Sequence, residues 1–580
     1  MPGGAAVRVI ATAGHVDHGK STLIRELTGM EPDRWAEERR RGLTIDLGFA
    51  WTRLPGGEVA FVDVPGHERF TTNMLAGVGP VPAVVFVVAA DEGWMPQSDE
   101  HLAALDGLGV RHGLLVVTRS DLADPGPALA QARERLARTS LREARAVAVS
   151  GRTRAGLDEV RAELDALVRA LPDPDPGADV RLWVDRSFTV RGAGTVVTGT
   201  LGAGALEVGD ELVLSGTGGR VAVRGLQALG ESARRVVGVA RVAVNLRGVE
   251  RERVGRGDAL LTPDAWPMTR VLDVRLVGAA EPPRNAVLHV GSAAVSAHVR
   301  PLGTDTARLV LTRPLPLRAG DRGLLRDPGR RRIVDGVVVL DARPPALDRR
   351  GAARQRGLDL AGDAARAHLA ARGLVLAREL RVLGFGEVGT PVGRWRADPA
   401  HWAALVRRVP EEVQRWRREH PLASGAPVEA MAHRMGIAAE VAVPLLAQAG
   451  LAVVDGQVPG AAALPDPVDR AVAAVEADLA RAPFAAPDAA RLAELGLGAR
   501  EIGAAVRVGR LLRLADGVVL GPDAPGRAAR VLAELPAPFT ASQAKQALGT
   551  TRRVAVPLLE LLDSLGLTRR VCDTGRVVLP

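Results

Sequence analysis

The sequence predicts a multidomain chain: an α/β phosphate-loop domain, two small β-barrels, and a tail of tandem winged-helix modules. Three observations predict it. Residues 1–175 alternate short apolar runs with helix-like stretches around Gly14-His15-Val16-Asp17-His18-Gly19-Lys20-Ser21, residues 180–343 are β-rich runs cut by glycine turns, and from residue 346 an alanine-, leucine- and arginine-rich region repeats itself. The 580 residues leave room for several cores, at roughly 150 residues per domain.

The apolar run Val7 to Ala11, a turn with a glycine at each end, and Lys20-Ser21-Thr22 opening a helix fit a phosphate-binding loop. Backbone N–H groups from Gly14 to Thr22 face the phosphates, the Lys20 ammonium reaches the β/γ oxygens, and the Ser21 hydroxyl binds Mg²⁺. Composition supports this. Lys20 and Lys545 are the only lysines beside 74 arginines, so a compact, flexible point charge has been kept here where arginine is used almost everywhere else.

Val59 to Val62, Ala83 to Ala89, Gly113 to Val117 and Ala144 to Val149 read as buried parallel strands, with helices over Asp99 to Leu108 and Ala128 to Ala137. In such a doubly wound sheet ligands bind beyond the carboxyl ends of the strands. There stand Asp63-Val64-Pro65-Gly66 and Thr118-Arg119-Ser120-Asp121, and before the second strand the polar run Glu37 to Thr44. Asp63 suits Mg²⁺ through water, Thr44 completes the metal's coordination when a triphosphate is present, and the Gly66 N–H meets the γ-phosphate. Two loops ordered by one phosphate make a switch. The Asp121 carboxylate can accept from N1–H and the exocyclic amine of guanine, a pairing adenine lacks. Arg119 can stack on the base, and Ser150-Gly151 can offer an N–H to the guanine carbonyl.

With these residues in this order the first domain resembles the translational GTPases, whose usual sequence at the third motif is Asn-Lys-x-Asp; Thr118 and Arg119 depart from it. The resemblance implies GTP/GDP and Mg²⁺ as cofactors. It also implies that His67 orients the attacking water when the ribosome engages, with Val16 and Leu43 as an apolar gate. Partner-supplied stabilisation of this kind is worth about 10³ to 10⁵ in rate, so unaided turnover should be slow.

The stiff linker Leu171-Pro172-Asp173-Pro174-Asp175-Pro176-Gly177 separates this domain from the barrels. Ser187 to Val190, Thr195 to Thr200, Glu211 to Leu214, Arg220 to Arg224 and Val239 to Val244 fall in the first barrel, residues 180–265. Runs from Arg270 to Leu340 fall in the second, residues 268–343, both with the short-strand pattern of small barrels. Nucleotide domain, barrel, barrel is similar to elongation factor Tu. Within that group three stretches resemble the selenocysteine-specific elongation factors: Arg41-Gly42-Leu43-Thr44-Ile45-Asp46-Leu47-Gly48-Phe49-Ala50, Val184 to Gly194, and Arg241 to Gly248. The resemblance implies an aminoacyl pocket with Arg186 and Arg241 as its basic residues and Asp185 meeting the esterified amino group. A selenol is far more acidic than a serine hydroxyl, so arginines there favour selenolate by charge.

In the tail, Gly436 to Leu446 is matched by Gly549 to Leu559, 113 residues on. Each copy continues into a leucine-rich helix and a β-like pair, the pattern of a winged helix. Phe484 and Phe539 mark a third and a fourth copy, the first module runs from Leu358 to Leu405, and the last covers about 527–580. Where one copy has Ala439-Glu440, the last has Arg552-Arg553, with Lys545, Arg569 and Arg570 close by. A charge reversal on a shared apolar frame points to an anionic ligand. The family resemblance makes that ligand the mRNA hairpin beside the selenocysteine codon, whose phosphates and splayed bases suit a few arginines.

The totals agree with an anionic partner: 76 basic against 67 acidic residues give +9, which fits nucleic acid. One cysteine, Cys572, excludes an internal disulfide and a cysteine-cluster metal site. The lack of a cleavable apolar leader and of an apolar run of about eighteen residues predicts a cytoplasmic protein without a membrane partner, and a monomer is expected. The expected function is a translation elongation factor that binds GTP and selenocysteyl-tRNA and delivers it to the ribosome at a UGA codon marked by an mRNA hairpin, with GTP hydrolysis. The alternatives are a general aminoacyl-tRNA-carrying GTPase and a nucleotide-sensing winged-helix regulator that binds nucleic acid.

Overall fold

Alternation of β-branched runs with amphipathic stretches produces six strands: Arg8–Ala13 (β1), Gly48–Leu54 (β2), Gly57–Asp63 (β3), Ala83–Ala89 (β4), His112–Thr118 (β5) and Arg145–Ala148 (β6). In the computed structural model they form one sheet ordered β2-β3-β1-β4-β5-β6. The residues described are 7–32, 44, 46–67, 70–79, 81–278, 282–330, 332–460, 463–571 and 575–579. The predicted gate residue Leu43, its neighbours Arg41, Gly42 and Ile45, and Cys572 lie outside them.

All neighbours in the sheet are parallel except β2, which runs antiparallel to β3. β4, Ala-Val-Val-Phe-Val-Val-Ala, is buried along its whole length, as a central strand covered on both faces must be. Helices Lys20–Thr28 (α1), Thr71–Val78 (α2), Pro96–Leu108 (α3), Pro125–Leu136 (α4) and Leu157–Ala170 (α5) enclose two apolar cores, one on each side. Proline opens α3 and α4, where its fixed φ suits the first turn. The strands lie where the apolar runs put them. The edge strand β2 is the addition, and it carries Phe49 and Trp51 to the border with the first barrel.

That barrel is built from Arg181–Val190, Gly194–Leu201, Glu211–Leu214, Arg220–Ala228, Ala240–Arg247 and Ala259–Leu261. Glu211–Leu214 pairs with both Arg220–Ala228 and Ala259–Leu261, which closes the ring. Between Val184 and Arg186 the register against Gly194–Leu201 slips, so Asp185 sits in a bulge, a device that re-aims one side chain without breaking the strand. The second barrel is a closed six-stranded ring from Met268 to Asp341. It meets α3 backbone to backbone: a Cβ on Gly336 would lie 2.4 Å from Gly107 Cα. Leu324 of this barrel joins the core of the nucleotide domain.

Residues Met1–Gly389 form one compact unit and Thr390–Pro580 another. The first ends in helices Ala352–Leu360, Ala364–Arg372 and Ala377–Val382, which belong with the second barrel. Buried Arg356 donates to Asp273 at 2.8 Å and to Asp341 at 2.7 Å. Arg308 donates to Asp273, and His368 meets Asp341 at 2.9 Å. The helices expected to open the first tail module at Leu358 therefore begin at Ala352 and are tied to the barrel by buried charge.

The second unit begins with the hairpin Thr390–Val392 and Trp395–Ala397. Three helix-rich modules follow, with helices Pro399–Glu419, Val428–Met435 and Ala439–Gln448, then Asp466–Arg481, Ala489–Glu494 and Ala499–Arg507, then Ala524–Ala533, Ala541–Ala547 and Arg552–Ser564. The last two each close with an antiparallel pair, Leu512–Ala515 with Val518–Leu520 and Thr568–Arg570 with Gly575–Val578. They share one apolar core, in which Phe484 and Phe539 are both buried. In the earlier copy, Gln457–Pro459 pairs back with Gly425–Pro427. Among the described residues no single helix is long and apolar enough to cross a membrane.

Candidate nucleotide, aminoacyl and RNA sites

The turn between β1 and α1 needs glycine at two points, since Gly14 has φ 127° and Gly19 φ 83°. A Cβ at Gly14 would lie 2.1 Å from the Val87 carbonyl oxygen, which no neighbour can relieve. Lys20 is buried and turns its ammonium onto the carbonyls of Gly14 and His15 at 3.0 and 2.6 Å. Gly66 lies against it, because a Cβ there would stand 2.7 Å from Lys20 Nζ and 2.6 Å from Val16 N. The glycine expected to sense a γ-phosphate is thus held at the head of the phosphate loop.

Beside the lysine, Ser21 Oγ donates to Asp63 Oδ2 at 2.6 Å and lies 3.1 Å from Thr44 Oγ1. Thr12 holds the other carboxylate oxygen at 2.7 Å. Asp63 is completely buried, and desolvation pushes its carboxyl up, against the hydrogen bonds of Ser21 and Thr12. A buried carboxylate with two hydroxyls at hydrogen-bond distance is an all-oxygen donor set, the kind Mg²⁺ takes together with phosphate and water. Ser21, Thr44 and Asp63 fit that ion.

At the base end, Ser150 Oγ donates to Asp121 Oδ1 at 2.6 Å, and this bond first of all keeps the Asp121 carboxyl below its ordinary range. The Ser150 amide is spent on the Ala155 carbonyl, so of Ser150-Gly151 it is Gly151 whose N–H suits a guanine carbonyl. Thr118 Oγ1 donates to the His18 carbonyl at 2.7 Å. Arg119, at φ 56°, pairs with Asp91 at 2.9 Å and Glu92 at 2.7 Å and donates to the Asp17 carbonyl. The two residues that depart from Asn-Lys thus brace the phosphate loop against β5.

Other braces were invisible to motif reading. Gly14 N donates to His101 Nδ1 at 3.0 Å and Val16 N to Gln97 Oε1 at 3.1 Å, both on α3. Burial lowers the His101 pKa to about 3 and that of buried His18 to about 4; a neutral His101 ring can accept the amide proton. His67, partly buried, follows Gly66 with its ring 6.0 Å from that of Phe70.

A cleft of about 200 Å³ between β2 and the first barrel is lined by Phe49, Trp51, Arg186, Phe188, Thr198 and Arg241, among others. The bulge turns Asp185 inward. Arg241 donates to both its carboxylate oxygens, at 2.8 Å for Nη2 to Oδ1, and Thr198 donates at 2.8 Å. Arg186 instead pairs with Asp46 at 2.9 Å and donates to the Leu47 carbonyl at 2.6 Å. Both guanidiniums face the Phe49 ring, Arg186 at 5.2 Å and Arg241 at 4.0 Å. Arg186 and Arg241 line this cleft, Asp185 is held by Arg241, and the acid bound to Arg186 is Asp46 rather than its sequence neighbour.

In the last module Arg552, Arg569 and Arg570 are exposed and Lys545 is partly buried. Arg553 donates to the Gly517 carbonyl at 2.5 Å, in the turn of the preceding module. The matching residue of the earlier copy, Glu440, likewise accepts from Arg394 and Trp395 Nε1 in the turn before it. The charge reversal at this position therefore follows the polarity of the neighbouring turn, an acid facing donors and a base facing a carbonyl. Arg553 therefore ties the last module to the turn of the one before it, and Arg552, Arg569, Arg570 and Lys545 lie on that same last module.

Residues 5–173 match the family model described as the elongation factor Tu GTP-binding domain. Residues 284–346 match the β-barrel domain of the selenocysteine-specific elongation factor, and 530–577 the winged helix of elongation factor SelB. A selenocysteine-specific elongation factor of Desulfomicrobium baculatum is 37% identical over 401 residues, 65% of this chain and 63% of that one. Elongation factor Tu 2 of Streptomyces avermitilis is 30% identical over 384 residues, 57% of this chain and 97% of its own length. The chain belongs to the elongation factor Tu family, and its second barrel and last module match the domains of selenocysteine-specific elongation factors. A solved bacterial selenocysteine-specific elongation factor, EF-Sec, is similar over 99% of this chain and 100% of that one, with TM-score 0.76 and 25% identity. The first-named relatives of the selenocysteine-specific branch are matched over less than two thirds of their own length, 63% in the Desulfomicrobium protein and 56% in that of Escherichia coli. The winged-helix match at 530–577 and the 99% coverage by EF-Sec carry the likeness to selenocysteine-specific factors into the tail.

Proposed function

We propose that the chain binds GTP with Mg²⁺, carries selenocysteyl-tRNA to the ribosome, and hydrolyses GTP there, while its last module holds an mRNA hairpin beside the codon. The observation that carries the reading is the convergence of Arg186 and Arg241 on Phe49 in a cleft bordered by the nucleotide domain. At neutral pH a selenol is ionised and a serine hydroxyl is not, so two guanidiniums favour the selenocysteyl ester over its seryl precursor. Bound Mg²⁺ would neutralise charge on the β- and γ-phosphates, held by Ser21 and Thr44, with Asp63 behind them. Lys20 supplies the fixed charge on the phosphates, and Asp121 reads the base.

The test is binding of the GTP-bound protein to selenocysteyl-tRNA and to seryl-tRNA. The wild type should prefer the former, and Arg186→Ala with Arg241→Ala should reduce that preference on the order of 10- to 100-fold, the worth of charge-assisted hydrogen bonds. Equal wild-type affinities would leave a general aminoacyl-tRNA carrier.

For the tail, Arg552→Ala should weaken binding of hairpin RNA and lower the slope of log K against log salt by about one, as loss of a single phosphate contact does, with GTP affinity unchanged. Loss of both activities would make the last module a folding element.

A further inference from the structure

The outer turn of the phosphate loop is strained. Asp17 lies at φ 64° and Arg119, which bonds to it, at φ 56°, left-handed conformations that residues with a Cβ hold only when their surroundings over-determine them. Such strain gathers at functional sites. One bond joins the two residues, from Arg119 Nη2 to the Asp17 carbonyl.

What holds Arg119 comes from a third segment. Its Nη1 donates to Asp91 Oδ2 at 2.9 Å and to Glu92 Oε1 at 2.7 Å, and the other Glu92 oxygen lies 3.6 Å from Nε2 of the fully buried His18 ring. These two acids stand on a tight turn that is itself fixed. Gly93 N donates to the Ala89 carbonyl at 2.9 Å and Trp94 N to Gln131 Oε1 at 3.0 Å, while the Trp94 ring stacks on buried Phe86 with centroids 5.3 Å apart. A rigid mount of this kind aims a guanidinium that would otherwise sample many rotamers. Arginine suits the task, because its planar fork serves the two acids with one nitrogen and Asp17 with another.

We propose that Asp91 and Glu92 are positioning residues for guanine nucleotides: they hold the Arg119 guanidinium on the Asp17 carbonyl, fix the outer turn of the phosphate loop, and so lengthen the stay of bound nucleotide. The inference deepens the GTP-binding reading above and rests on it. Arg119, Asp91 and Glu92 keep 29%, 30% and 36% of their side chains exposed. Ion pairs exposed to that degree contribute little to folding, so their effect should show in nucleotide release and leave stability alone.

The experiment follows release of a fluorescent GDP from the full chain, for the wild type, Asp91→Asn with Glu92→Gln, Arg119→Ala, the triple combination, and Arg119→Lys. The paired acid variant should release GDP about tenfold faster or more, the worth of a charge-assisted hydrogen bond, with the melting temperature unmoved. In the Arg119→Ala background the same two changes should add nothing. Arg119→Lys keeps the charge without the fork and should fall between Arg119→Ala and the wild type. The ratio of GDP to IDP affinity should stay as in the wild type, since Asp121 still reads the exocyclic amine; a domain that had merely loosened would lose it. An unchanged release rate in the paired acid variant, equal acceleration with and without Arg119, or acceleration that comes with a fallen melting temperature and a fallen GDP-to-IDP ratio overturns the proposal. A wild type that binds neither GDP nor GTP refutes the nucleotide reading instead, so the two failures are distinguishable.

Discussion

His67→Ala is expected to hydrolyse GTP on programmed ribosomes about 10² to 10⁴ times more slowly than the wild type, the range for loss of one positioned proton-handling side chain, while binding GTP and tRNA as before. Gly66 faces Val16 and Lys20 Nζ so closely that no side chain fits there. The next residue is therefore delivered to the edge of the phosphate site by backbone geometry alone. The amide of Phe70 donates to the His67 carbonyl at 2.9 Å, closing a turn that also brings the two rings to 6.0 Å. Lys20, His101 and Gln97 hydrogen-bond to the phosphate loop, and the placing of water at a γ-phosphate falls to His67 by the family resemblance. Single-turnover hydrolysis with saturating ribosomes checks the expectation. A rate near that of the wild type would assign water positioning to another group.

The nucleotide domain was legible because phosphate chemistry dictates short contiguous patterns. Lys20, Ser21, Thr44 and Asp63 follow from spacing along the chain, and three of them meet within 3.1 Å. What could not be read is what depends on distant segments. Asp46 meets Arg186 across 140 residues of chain, and His101 meets Gly14 across 87. Neither pairing leaves a local signal, since an aspartate after a threonine and a histidine within a helix suit solvent equally well. The edge strand β2 escaped for a related reason: Trp51 faces the first barrel, and Thr52 and exposed Arg53 break its apolar run. In the tail, the matched repeat placed Glu440 and Arg553 at equivalent positions, yet the reversal between them reflects which groups the preceding turn offers. Charge differences between repeats thus report on docking between neighbours as well as on ligands.

Asp121→Asn is expected to turn a guanine site into a xanthine site, with GTP affinity falling on the order of 10² to 10⁴, as two charge-assisted hydrogen bonds would give, and XTP affinity rising. Ser150 donates to one oxygen of the Asp121 carboxylate and keeps it ionised, so the side chain only accepts, and guanine offers the two N–H groups it requires. Asparagine replaces one acceptor with a donor, and xanthine carries a carbonyl where guanine carries the amine. Competition of GTP and XTP for the variant checks this directly. The result bears on Thr118 and Arg119 as well. Their polar atoms are spent on the His18 and Asp17 carbonyls and on Asp91 and Glu92, which braces the pocket wall without reading the base edge. A variant that still prefers GTP would move base reading to those two residues. A clean switch to XTP would mean that the departure from Asn-Lys changed how the wall is held and left selectivity on the one carboxylate.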